Sequence, residues 1–157
     1  MGLDMYLSKR TYVKQWSHHA PEEKHHVTVK KGKAKVDHIK PERISYVIEE
    51  VAYWRKANAI HQWFVEAVQD GDDNCGEYYV SLDDLKNLLN LCKQVLDNPK
   101  MAKELLPTQQ GFFFGGTEYD EYYFNDIEYT AKAIEELLEE SSFLDTHATA
   151  FYYESSW

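Results

Sequence analysis

Apolar and polar residues alternate from the start of the chain, with Leu3, Met5 and Leu7 set against Asp4, Tyr6 and Ser8. A period of two over residues 2–13 predicts a half-buried strand. Residues 17–26 hold Pro21, two glutamates and four histidines and predict a loop; residues 27–36 alternate around Gly32 and predict a basic hairpin. Residues 44–51, entered after Pro41, are β-branched enough for another strand, which runs into Tyr53 and Trp54. The period then lengthens. From Arg55 to about Gln69, at about 100° per residue, Ala57, Ile60, Phe64, Ala67 and Val68 gather on one side and predict a helix. Asp70-Gly71-Asp72-Asp73-Asn74 breaks it, and residues 76–80 predict a short aromatic strand.

The run Ser81-Leu82-Asp83-Asp84 resembles a capping box. Behind it Leu85, Leu88, Leu89, Cys92, Val95 and Leu96 keep i, i+3, i+4 spacing until Pro99, so a helix is predicted; residues 101–106 add a short turn, closed by Pro107. Residues 111–116, three phenylalanines between glycines, predict a buried strand feeding a tight turn. Asn125 is the predicted cap of a last helix with Ile127, Ala131, Ile134 and Leu138 on its apolar stripe, and residues 148–157 predict a closing strand. No repeat or linker divides the pattern. The expectation is an α+β fold, mostly antiparallel sheet with about three helices packed on one face, in a single domain over residues 1–157.

Composition changes this picture in two ways. A chain of 157 residues can bury a core without disulfides or metal, and Cys75 and Cys92, 17 apart, have no zinc or redox spacing, so free thiols in a reducing cytoplasm are expected. No apolar run reaches a membrane span and the first residues lack a signal-peptide pattern, so no membrane partner is expected. Charge is divided: residues 1–56 hold 12 of the 17 Lys+Arg but 7 of the 27 Asp+Glu, and the other residues make up the overall −10. The basic arm is therefore expected to dock on acidic surface, in its own fold or another copy's, or to meet a polyanion.

The richest candidate segment is 54–64. On a helix, Trp54, Asn58 and His61 share a flank of the apolar stripe where a half-covered polar cleft could form, and Arg55 reaches it from the helix N-terminus. Asn74 and Glu77 complete the set of ligand-binding candidates; packing indoles and backbone-bonded polar groups are the competing structural account. The loop from Asp70 begins like a calcium loop but has Cys75 where glycine is needed and Ser81 where the bidentate glutamate belongs, so a solvated turn is expected. A Cys75–His61 nucleophile pair and a metal site among His18, His19, His25, His26 and His38 are weighed and set below a structural turn and a polar loop. No metal or cofactor is expected. The carboxylates Glu118, Asp120 and Glu121 could do acid–base work if their environments differ, or simply lie in an exposed loop.

Met1-Gly2-Leu3-Asp4-Met5-Tyr6-Leu7, Asp73-Asn74-Cys75-Gly76-Glu77-Tyr78-Tyr79-Val80-Ser81 and Gly111-Phe112-Phe113-Phe114-Gly115 resemble small uncharacterised proteins of phages and prophages, over nearly the whole chain. The resemblance implies an accessory protein in the host cytoplasm and transfers no activity to any residue. The first reading is a non-catalytic phage protein, a homo-oligomer that engages a host protein or a small anionic ligand, with antagonism of host defence implied by analogy. The second is an enzyme for a phosphorylated or nucleotide-like substrate, Arg55 and Lys56 holding the anion and His61 serving as acid or base, assisted by Glu77. Nucleic-acid binding through Lys30, Lys31, Lys33 and Lys35 ranks below both.

Overall fold

The computed structural model describes residues 2–141 and 148–157. Its strands are β1 (Asp4–Tyr12), β2 (Lys30–Lys31), β3 (Ala34–Lys35), β4 (Tyr46–Arg55), β5 (Tyr78–Val80) and β6 (Thr149–Ser156). Its helices are α1 (Asn58–Ala67), α2 (Leu82–Asp97), the single turn α3 (Ala102–Leu105) and α4 (Glu121–Ser141). The main sheet is antiparallel throughout, in the order β4-β1-β6-β5, while β2 and β3 pair only with each other. The fold is thus α+β, as the periodicities predict.

The first and last strands lie side by side, which explains why the alternation begins almost at residue 1. Leu3, Met5 and Leu7 are fully buried and meet Ala52 and Trp54 of β4 and Phe151 and Tyr153 of β6 on the helix-bearing face. Against them pack Ile60 and Phe64 of α1, Leu85 and Leu88 of α2, and Ile127 and Ile134 of α4. Each such side chain contributes about 2 kcal/mol of burial, so this layer dominates the stability. Ser81 accepts from the Asp84 amide and Asp84 answers to the Ser81 amide, both at 3.0 Å, which fixes the start of α2 as the capping box predicts.

Three local expectations are corrected, and the basic hairpin forms as expected. Trp54 and Arg55 end a strand and do not begin a helix: β4 stays paired with β1 to Arg55, and the turn falls at Lys56, whose φ is 57° and whose amide bonds to Leu3 O at 2.7 Å. The phenylalanine run forms no strand; the Phe114 amide returns to Gly111 O in a tight turn that buries Phe114 and leaves Phe112 91% exposed. Asp120 and not Asn125 caps α4, its Oδ1 accepting from the Tyr123 amide at 3.1 Å. The basic hairpin pairs over only two residues per strand, turning at Gly32 with φ 61°.

Between Leu7 and Ser8 the β1–β4 register shifts, so that Val51 is an extra residue on β4. Such a bulge deepens the local twist and lets Lys9 and Glu49, rather than apolar residues, occupy the outer part of the helix side, where they pair at 3.0 Å. Beyond β1, residues 13–45 leave the sheet as an arm of short 3₁₀ turns and the β2–β3 hairpin. Among the described residues no helix is long and apolar enough to cross a membrane.

Candidate functional site

A cavity of about 500 Å³ opens where β4 turns into α1, a size that suits a small-molecule ligand. One wall is Arg55, Lys56 and the first turn of α1, the other is Glu118, Asp120, Tyr122 and Asp126 at the start of α4, and Gly115 and Gly116 close the rim. Ala57 caps α1 without any side-chain bond, and the first helical hydrogen bond runs from the His61 amide to Ala57 O. The amides of Ala59 and Ile60 therefore precede the hydrogen-bonded ladder, and with Arg55 and Lys56 they make this wall electropositive. Burial, with Asp120 nearby, pushes the Asp126 carboxyl up to about 6.

The loop carrying the rim is held by one side chain. Asn58 Nδ2 donates to Phe114 O at 2.9 Å and to Gly116 O at 2.8 Å, and its Oδ1 accepts from the Gln109 amide at 2.9 Å. Asn58 is buried, and these bonds engage both of its donors and its oxygen. Gly115 has φ 84°, and a Cβ there would come within 3.1 Å of Lys56 Cβ, so only glycine lets the rim approach the Lys56 turn this closely.

The six sequence candidates are dispersed to five places. Arg55 and Asn58 line the cavity. Trp54 is buried against α4, with Nε1 donating to Thr130 Oγ1 at 2.8 Å. Asn74 organises its own turn, its Oδ1 accepting from the Gly76 amide at 2.8 Å. Glu77 lies on the opposite, helix-free side of the sheet and pairs with Arg10. The half-covered cleft shared by Trp54, Asn58 and His61 does not form, because Trp54 belongs to a strand and all three side chains are buried.

No protein-family model, curated protein or solved structure matches this chain.

His61, the sixth candidate, is fully buried in a relay of its own. Its Nδ1 lies 2.6 Å from the Tyr153 hydroxyl and its Nε2 lies 3.0 Å from Asp73 Oδ2, while Asp73 Oδ1 accepts from Trp157 Nε1 at 3.0 Å. Burial holds the Tyr153 hydroxyl well above its usual range, so it stays protonated within this relay. Both ring nitrogens are used, which leaves no base for Cys75. Among the described residues no three His, Cys, Asp or Glu side chains gather to hold a metal ion.

Asp126 and Tyr122 are the cavity residues that sequence reasoning missed. The Thr117–Phe124 stretch reads as an exposed acidic loop, and Asp126 looks like one more polar residue of a solvated helix face. The usable indication is positional: a capped helix start four residues after a double glycine places the side chains of its first two turns opposite whatever the glycines touch.

Proposed function

We propose that this protein works by binding and not by catalysis, and that its ligand site is the cavity between Arg55–Lys56 and the start of α4. The carrying observation is the convergence of two cations and the uncapped first turn of α1 on one wall of a cavity of ligand size. Phosphate or carboxylate is the group such a wall recognises. The facing carboxylates of Glu118, Asp120 and Asp126 select ligands whose remaining surface offers donors, such as ribose hydroxyls or an amine, so a small anionic metabolite of nucleotide size fits best. The buried, doubly bonded state of His61 supports binding over acid–base chemistry, since this side chain has neither solvent nor cavity access. The sequence resemblance supports placing that function in a phage accessory protein within the host cytoplasm, where sequestering a small anionic signal would antagonise a defence system.

Calorimetric titration of the full chain with a nucleoside 5′-monophosphate and with inorganic phosphate tests the site. Binding is expected to weaken about tenfold in Arg55→Ala, the loss typical of one charge-assisted contact. The probes' own phosphate gains a proton over the same range, so the contribution of Asp126 is read against Asp126→Asn. That variant should bind more tightly at about pH 7.5, and the native chain should close the gap by about pH 5.5, because protonation of Asp126 near pH 6 removes a negative charge facing the anion. Absence of heat with either probe, together with unshifted amide resonances at Ala59, Ile60 and Gly116, overturns the assignment.

A further inference from the structure

The face of the sheet turned away from the helices is uncovered, and it is not the polar surface that an exposed antiparallel face normally presents. Tyr46, Ile48 and Tyr79 are 54%, 60% and 61% exposed. The rings form packed pairs across the strands, Tyr6–Tyr53 with centroids 5.4 Å apart, Tyr12–Tyr46 at 5.2 Å and Tyr79–Tyr152 at 6.0 Å, so the aromatic surface is pre-ordered rather than scattered. A groove of about 630 Å³ crosses it beside Arg10, Tyr46 and Ile48. A contiguous exposed patch of this kind marks an interaction site.

Charge decides the kind of occupant. The strand register turns Asp4, Glu50 and Glu154 to this face, and Glu77 reaches it to pair with Arg10. Arg10 is thereby neutralised and stacks over Tyr152 with its guanidinium 4.2 Å from the ring centroid. The remaining cation, Arg55, stands at the far end beside Asp4. Surplus carboxylates among tyrosine rings repel a phosphate backbone and attract lysine, through both ion pairing and the ring faces.

The chain itself carries that counterpart. Residues 13–45 hold eight Lys+Arg against four Asp+Glu. They leave the sheet at the Tyr12–Tyr46 end, next to the groove, and at their tip Lys30, Lys31, Lys33 and Lys35 are all exposed and, among the described residues, in no ion pair. Since the arm's lysines do not lie on their own sheet, we propose that the uncovered face is the docking surface for the basic arm of a second copy, in a two-fold dimer whose subunits exchange arms reciprocally. Each arm lays its lysines across the partner's carboxylates and tyrosines, and the two identical contacts close the assembly. This surface lies on the opposite side of the sheet from the helices, and its groove at the Tyr12–Tyr46 end shares no lining residue with the α1 cavity, which this face meets only at Arg55.

Charge reversal gives a test with internal controls. One variant carries Lys31→Glu, Lys33→Glu and Lys35→Glu in the exposed hairpin; the other carries Glu50→Lys and Glu154→Lys on the exposed face. By sedimentation velocity the native chain is expected to be a dimer at about 0.05 M salt and at least tenfold more weakly associated at about 0.5 M, as screened ion pairs require. Each variant alone should be monomeric, with circular dichroism unchanged from the native chain. Mixed in equal amounts they should form a dimer again, since each reversed arm then meets a reversed face and each native arm a native face. A native chain that is monomeric at both salts overturns the proposal, as does dimerisation of either variant alone, a mixture that stays monomeric, or capture of the face by a single-stranded oligonucleotide instead.

Discussion

Asn58 bears more of the site than any other single residue, and it does so as a scaffold. Its amide is the joint between α1 and the loop that rims the cavity, with the bond to Phe114 O buried and the bonds to Gly116 O and the Gln109 amide part-buried. Asn58→Ala leaves the Phe114 carbonyl unpaired in the interior and gives the other two partners to water, which predicts a loss of about 2 kcal/mol in urea unfolding. Asn58→Asp keeps the shape and is expected to be at least as damaging at neutral pH, because a carboxylate oxygen would replace the donor that faces Phe114 O and Gly116 O. Recovery of part of that loss at acidic pH, where the new group protonates, separates this account from one of packing alone. The choice of Asn58 as a candidate was legible in the sequence, because an amide beside the apolar stripe of a helix must find partners. Those partners were not legible, since the loop that supplies them follows some 50 residues later.

At the scale of elements, periodicity read the sheet and the long helices well and failed at their ends. The alternation around Leu3, Met5 and Leu7 and the spacing from Leu85 to Val95 reflect faces buried along their whole length, so the pattern is local. The β4–α1 junction is different. Trp54 and Phe64 both face the core, one from a strand and one from a helix, and only the Lys56 turn tells the two periods apart. The phenylalanine run misled for a similar reason, because its apolar character reflects one buried ring, Phe114, and not a paired strand. This loop carries its own expected outcome. Gly115→Ala places a Cβ against Lys56 in a left-handed backbone, and is expected to cost about 1–2 kcal/mol and to weaken ligand binding, because either the rim or the Lys56 turn must withdraw. Thermal melts and the calorimetric titration, run on the same sample, read the two effects separately.

For the whole molecule, the surplus of acid sets how stability responds to pH. A formal charge of −10 at neutral pH loads the compact state with self-repulsion, which a shift toward the sequence pI of about 5.1 relieves. Asp126 acts in the same direction. Its folded pKa of about 6 lies above the ordinary value of 3.8, so the native state holds this proton more tightly than the unfolded chain does. The resulting stabilisation is complete below about 4 and is lost as pH rises through 6. Because Asp126 is partly open to solvent, its share is about 1 kcal/mol rather than the full value of the shift. The thermal midpoint is therefore expected to rise as pH falls from about 8 to about 5.5. Added salt at pH 8 should recover the part due to distributed repulsion and leave the Asp126 part, while Asp126→Asn should raise the midpoint at pH 8 and flatten the profile between 4 and 6. A midpoint that falls steadily from pH 8 to 5.5 would overturn both contributions, the distributed repulsion and the proton held by Asp126.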